Sequence, residues 1–98
     1  MIGYLASKPK HVTARRRSNV TFICNSDTHE LVQWSFIPAY DSRVPRIIAA
    51  NISQYDGHIY VDNNGTLYLH SVSEDDAGVY RCEDRDEAAF AELQVLGK

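Results

Sequence analysis

The sequence predicts an all-β fold, a sandwich of two antiparallel sheets, on three observations. Apolar and polar residues alternate at period two along most of the chain. Turn residues punctuate that alternation about every 8–12 positions, the rhythm of short strands in a sandwich. No stretch sustains the i, i+3, i+4, i+7 apolar spacing of a substantial helix. Alternation places one face of each strand in a core and the other in water. The 98 residues make a single domain, because a second core would need roughly 50 residues or more of its own.

The elements follow in order. A lead-in is expected at 1–8 and a first strand at 9–14, where Lys8, Lys10 and His11 discourage edge-to-edge pairing. Arg15-Arg16-Arg17 turns the chain into a strand at 18–25, with Val20, Phe22 and Cys24 alternating with Asn19, Thr21 and Ile23. The strand at 30–37 carries Val32, Trp34 and Phe36 inward and Gln33 and Ser35 outward. Pro38 and Pro45 bound a connection to a strand at 45–50, read from Val44-Pro45-Arg46-Ile47-Ile48. After Gly57, Ile59 and Val61 mark a strand at 58–62, and Leu67 and Leu69 one at 66–72. Between them, Asn64-Gly65 is the strongest hairpin signal, since both residues tolerate positive φ. Ser73-Glu74-Asp75-Asp76 reads as a short helical turn with carboxylates near its N-terminus. The strand at 78–84 alternates Tyr80 and Cys82 with Val79, Arg81 and Glu83. The last, at 87–96, turns Ala91, Leu93 and Val95 inward.

Composition removes most function classes. A net charge of −3 argues against nucleic-acid binding, which uses a clearly basic face. No apolar run reaches the ~20 residues of a membrane span, so no direct membrane insertion is expected. The N-terminus lacks a signal-peptide pattern, and Met1 reads as an expression start before a domain excised from a larger multidomain protein. Two cysteines outside any CxxC motif cannot form an all-thiolate zinc site, leaving one disulfide or two free thiols. His11, His29, His58 and His70 share no metal-ligand spacing. The acids at Glu74-Asp75-Asp76 and at Glu83, Asp84, Asp86 and Glu87 lack a calcium-loop pattern, and Arg81 and Arg85 neutralise the second group. There is no nucleophile elbow and no phosphate loop. The arginine triplet could contact heparan sulfate or anionic lipid, but reads as a solvated turn. No catalysis, cofactor or metal is expected.

Four features coincide at specific spacings. Cys24 lies on the second strand and Cys82 on the penultimate one. Trp34 follows on the next strand with the same inward parity. Tyr80 stands two residues before Cys82, just after Asp76-Ala77-Gly78. Here the chain resembles the immunoglobulin superfamily. Glu74-Asp75-Asp76-Ala77-Gly78-Val79-Tyr80-Arg81-Cys82 is similar to its F-strand signature, and Asn64-Gly65-Thr66-Leu67-Tyr68-Leu69 to the start of its E strand. The resemblance implies an immunoglobulin-like Greek-key sandwich over nearly the whole chain. It implies a Cys24–Cys82 disulfide pinning the sheets, Trp34 packed on it, and a Tyr80 corner beside Asp76, with Leu69 in the core. In the family's lettering the eight predicted strands are A, B, C, C′, D, E, F and G.

The cysteine spacing fits an intermediate-set or compact variable-type domain, and the C′ strand favours the latter. Two departures stand out. His58 occupies the place of the usual strand-D arginine, facing Asp76; it either pairs with that carboxylate or is solvated. Strand G, Ala88-Ala89-Phe90-Ala91-Glu92-Leu93, lacks the Phe-Gly-x-Gly bulge of antibody chains.

Sequons at Asn19, Asn51 and Asn64 are candidate glycosylation sites, and none lies on C, F or G. The outer G-F-C-C′ face is left free to bind. Alternation assigns it Gln33, Ser35, Val79, Arg81, Glu83, Phe90, Glu92 and Gln94. From C′ it takes either Arg46 and Ile48 or Ile47 and Ala49, and Ile48 is the residue chosen. An exposed Phe90 beside Arg81 and Glu83 has the make-up of an interface anchor, unless a bulge turns it inward. The short charged loop Asp84-Arg85-Asp86-Glu87 moves recognition from loop tips to the sheet. The expected function is an extracellular adhesion or receptor module binding a protein ligand, a second copy of itself included, on a cell-surface or secreted protein. The alternatives are a structural intermediate-set domain of an intracellular muscle-type protein and a secreted variable-type immune domain.

Overall fold

The computed structural model describes residues 5–26, 32–41, 43, 45–48, 58–84 and 87–97. Among them lie ten strands: β1 (Leu5–Ser7), β2 (Val12–Arg15), β3 (Val20–Phe22), β4 (Asn25–Ser26), β5 (Gln33–Pro38), β6 (Arg46–Ile48), β7 (Ile59–Val61), β8 (Leu67–Leu69), β9 (Gly78–Glu83) and β10 (Ala88–Leu96). A 3₁₀ turn at Glu74–Asp76 precedes β9, where the acidic segment suggested one. One sheet runs β2-β10-β9-β5-β6, a second runs β3-β8-β7, and β1 pairs with β4. Strand β3 thus pairs with β8 rather than with its sequence neighbours, as a Greek key requires. All pairs are antiparallel except β2 with β10, which run parallel from Leu93 opposite Val12 to Leu96 opposite Arg15.

The period-two pattern builds the core between the layers. Trp34, Phe36, Tyr80, Cys82, Ala91 and Leu93 of the larger sheet meet Val20, Phe22, Ile59, Val61, Leu67 and Leu69 of the smaller. Aromatic rings fill the centre: Tyr80 stacks on Phe36 at 4.5 Å and on Phe22 at 5.1 Å between centroids. Cys24 and Cys82 form a disulfide. Closing a loop of 58 residues contributes roughly 4 kcal/mol in the chain-entropy model. Trp34 is the cross-strand partner of Cys82, and its indole Nε1–H donates to the Gly65 carbonyl at 2.7 Å.

The Tyr80 corner is present. The hydroxyl donates to the Asp76 carbonyl at 2.6 Å, and burial, then the Asp76 charge, pushes the phenol's pKa upward. His58 pairs with Asp76: its Nε2 lies 2.8 and 2.9 Å from the two carboxylate oxygens. The Ser73 N–H also donates to that carboxylate at 2.8 Å.

Three expectations need correction. The strand expected at 9–14 is β2, shifted to 12–15 beside β10, and an additional strand, β1, precedes it beside β4. Pro9 stands at the break, lacking the N–H that would carry a ladder through it. The lead-in at 1–8 is therefore structured from Leu5, whose side chain is buried in the core. In the β7–β8 turn only Gly65 has positive φ, at 86°. The Gly65 N–H closes the turn onto the Asp62 carbonyl at 3.1 Å, and Asp62 N–H meets the Thr66 carbonyl at 3.0 Å. This is a longer hairpin loop with a left-handed glycine, not a two-residue Asn-Gly turn.

A Cβ on Gly65 would collide with the Cys24 carbonyl oxygen and come within 2.7 Å of Val32 Cγ2. Left-handed strain and overpacking add, so Gly65→Ala is expected to cost about 2–4 kcal/mol in urea unfolding. Tyr80→Phe, losing one buried hydrogen bond, should cost about 1–2 kcal/mol. A wild-type urea midpoint for the Phe variant would show that the corner hydroxyl contributes nothing.

Candidate recognition face

The outward side of the five-stranded sheet follows from its register. Phe90 on β10 stands opposite Arg81 on β9, Arg81 opposite Ser35 on β5, and Ser35 opposite Ile47 on β6. These four form one row across four strands, about 14 Å from end to end at ordinary strand spacing. A second row runs Ala88, Glu83, Gln33, and a third Glu92, Val79, Ile37. Phe90 is 54% exposed and Ile47 68%. The row thus has apolar ends and a polar centre.

Arg81 organises that centre. Its guanidinium lies 5.8 Å from the Phe90 ring centroid, and its Nη1 is 2.7 Å from Glu83 Oε1. The cation over the aromatic face and the neighbouring carboxylate together fix where the guanidinium sits. At the far edge Arg46 lies 5.8 Å from the ring centroid of exposed Tyr40. In the turn after β5, Arg43 Nε donates to Asp41 at 3.0 Å and holds that carboxyl below its usual range.

Of the residues assigned to this face, Gln33, Ser35, Arg81, Glu83, Phe90 and Glu92 are all on its outward side. The G-strand bulge that would bury Phe90 is not formed. Ile48 is a correction: opposite Trp34, it turns inward and is only 6% exposed, and Ile47 takes its place. Arg-Ile-Ile-Ala carries no alternation, so parity there could not be read from the sequence. Tyr40 was missed because it sits in a turn, outside any periodic run.

The tip beside this face is closed by acids. Asp84 N–H donates to the Glu87 carbonyl at 3.0 Å, and Glu87 N–H returns to Asp84 Oδ1 at 2.9 Å. The loop is therefore as tight as expected, though Arg85 and Asp86 lie outside the described residues. So do Asn51, His29 and the far ends of the predicted C and C′ strands. Glu87 also receives Lys8 Nζ at 2.8 Å and the Leu5 N–H at 2.7 Å. Among the described residues there is no metal-binding cluster of three or more His, Cys, Asp or Glu residues.

The immunoglobulin domain family matches residues 4–84. The chain is an immunoglobulin domain. Three solved structures share the immunoglobulin domain's fold. Duf (Kirre) D1 is 19% identical over 98% of each chain, with a TM-score of 0.76. The RIG-5 IG1 homodimer is 20% identical over 96% of this chain and 97% of that one, at 0.71. The I9–I11 tandem of titin is 22% identical over 98% of this chain and 34% of that one, at 0.70. At such identities the likeness concerns the fold alone. No curated protein sequence is a significant match to this immunoglobulin domain. No helix among its described residues is long and apolar enough to cross a membrane.

The Glu87 clamp gives the immunoglobulin domain a pH signature. Bonds from Lys8 and then from the Leu5 N–H hold its carboxyl below the ordinary glutamate range. A depressed folded pKa stabilises above the unfolded value and is lost as pH falls through the folded one. An NMR titration should find the Glu87 midpoint below that of a model glutamate. Leu5 amide exchange should accelerate relative to core amides as pH falls through that midpoint. An unshifted midpoint would mean that the clamp is not held in solution.

Proposed function

We propose that this immunoglobulin domain is an extracellular recognition module, one unit of a larger protein, that binds a protein partner through the outer face of β2-β10-β9-β5-β6. The observation that carries the reading is the Phe90–Arg81–Ser35–Ile47 row. Two exposed apolar side chains flank an arginine already oriented by Glu83 and an aromatic ring. Aromatic and arginine anchors ringed by polar contacts are what interface hot spots are made of. The mixed charges of Arg81, Glu83 and Glu92 let the surface oppose another copy of itself or another immunoglobulin domain. A RIG-5 domain of the same fold is a homodimer. A disulfide fits an oxidising compartment. The domain acts by affinity alone, without catalysis.

A structural role inside a muscle-type filament has one point in its favour, the likeness to titin. Intact mass of native protein with and without reductant separates the two, since a reduced thiol pair belongs to the filament reading.

Sedimentation velocity of the purified domain, together with capture by an array of extracellular immunoglobulin domains, tests the proposal. Self-association or capture is expected, and Phe90→Asp should weaken it at least tenfold while leaving the circular dichroism and melting curve intact. Ile47→Asp should act in the same direction. Unchanged affinity in both folded variants would remove this face from the function, and an absence of any association would count against the module itself.

A further inference from the structure

The opposite face of the sandwich carries an unassigned feature. Thr21 on β3 stands opposite Tyr68 on β8, and Tyr68 opposite Tyr60 on β7. The two tyrosine rings stack at 6.3 Å, and the Tyr68 hydroxyl is fixed by donation to Asp62 Oδ2 at 3.1 Å, which raises the phenol's pKa. Tyr68 is 42% exposed, and Ile23, two residues beyond Thr21 on the same side, is 50% exposed. Two sequons flank this aromatic row: Asn19-Val20-Thr21 and Asn64-Gly65-Thr66.

A sequon alone is a weak signal, and the placement of the two carboxamides adds to it. Asn19 Oδ1 accepts the Ser71 N–H at 3.0 Å, and Ser71 is one of two non-glycine residues at positive φ among the described residues, at 55°. With the oxygen turned toward the chain, Nδ2 of this exposed side chain is the free end of the amide. Modification at Nδ2 leaves Oδ1 and its bond to Ser71 unaltered. Asn64 is exposed in the β7–β8 turn and uses its main-chain N–H, on Asp62 Oδ1 at 2.9 Å. Its side chain enters no hydrogen bond among the described residues. The Cys24–Cys82 disulfide independently points to the secretory compartment, where such sites are modified.

We infer that the outer face of β3-β8-β7 is the glycan-bearing side of the domain, with N-linked oligosaccharide on Asn19 and Asn64 and the Asn19 glycan packed over Tyr68. This rests on the extracellular reading above. In the attachment step Nδ2 bonds to the anomeric carbon of a lipid-diphosphate-linked oligosaccharide and loses a proton. The bond from that carbon to the diphosphate oxygen breaks, and the lipid diphosphate leaves with the electron pair. The apolar face of a sugar ring then covers an aromatic surface that water would otherwise meet. Glycans here deny this side to partners and leave the five-stranded face open.

The test is secretion of the full chain from a eukaryotic host, followed by intact mass and peptide mapping before and after enzymatic deglycosylation. Glycan is expected at both sites. Asn19→Asp keeps an acceptor for the Ser71 N–H, and Thr21→Ala keeps Asn19 itself. Each should lose one glycan's mass with unchanged thermal melting, and Asn64→Gln should lose the other. Ring-current-shifted sugar protons should be present in the wild type and absent in Tyr68→Ala. An oxidised, secreted chain of bare polypeptide mass overturns the inference, as does occupancy confined to Asn51; unshifted sugar protons overturn the packing over Tyr68. An unglycosylated chain that still associates through Phe90 sinks this inference alone, whereas a glycosylated chain indifferent to Phe90→Asp sinks the proposed function alone.

Discussion

The fold hangs on the contact that joins its two layers at Trp34. The indole is wholly buried on the larger sheet, yet its N–H is satisfied by the Gly65 carbonyl from the hairpin of the smaller one. Its strand partner, Cys82, is bonded to Cys24, whose own carbonyl oxygen lies against Gly65. Three chemically different ties thus converge on one spot. A chain this short buries only about two-thirds of its unfolded surface, so such convergence matters more than in a larger domain. It also fixes parity. With Trp34 and Cys82 inward, Ser35 and Arg81 must face out, because a one-residue slip would invert every side chain on the strand.

Asp76 plays a comparable part at the other end of the core. Its carboxylate gathers the His58 imidazole and the Ser73 N–H, while its carbonyl accepts the Tyr80 hydroxyl. The residue is buried, and every bond comes from a different element, so the carboxylate's desolvation is offset by donors rather than by water. Asp76 thus ties the 3₁₀ turn to His58 beside β7 through its carboxylate and to β9 through its carbonyl. The His58 Nε2, 2.8 and 2.9 Å from the two carboxylate oxygens, makes the side-chain bridge at this end of the core.

The sequence exposed whatever repeats at period two or recurs at fixed spacing. The strands of Phe22, Trp34, Tyr80 and Leu93 carry their buried residues at every second position, so their inward faces were legible. The disulfide pair and the corner were legible through the resemblance to the immunoglobulin superfamily. Three features escaped because they depend on contacts far along the chain. The extra strand β1, inside the expected lead-in, is decided by β4 beside it, as β2 is by β10. Parity at Ile47 and Ile48 is decided by Trp34 across the ladder, since the local run is apolar at both positions. The turn type at Asn64-Gly65 is decided by the indole and the Cys24 carbonyl, which demand the glycine at one place in the loop.

The two faces of the sandwich differ in how their exposed apolar side chains are arranged. On the three-stranded side, Tyr60 and Tyr68 stack on each other, and Tyr68 is tied to Asp62, so the aromatic surface is internally satisfied. On the five-stranded side, Phe90 stands opposite Arg81 and Ile47 opposite Ser35, and Arg81 is paired with the Glu83 carboxylate. A partner docking there would gain most from covering Phe90, whose hydration is lost without breaking any bond. In the proposed interface Arg81 would add less affinity than Phe90, because its ion pair is already made. Its contribution would be selectivity: a guanidinium already placed by Glu83 and the Phe90 ring presents donors, and a partner lacking acceptors for them would leave them desolvated and unpaired. Affinity from the aromatic ring and selectivity from the arginine would then be separable on this face.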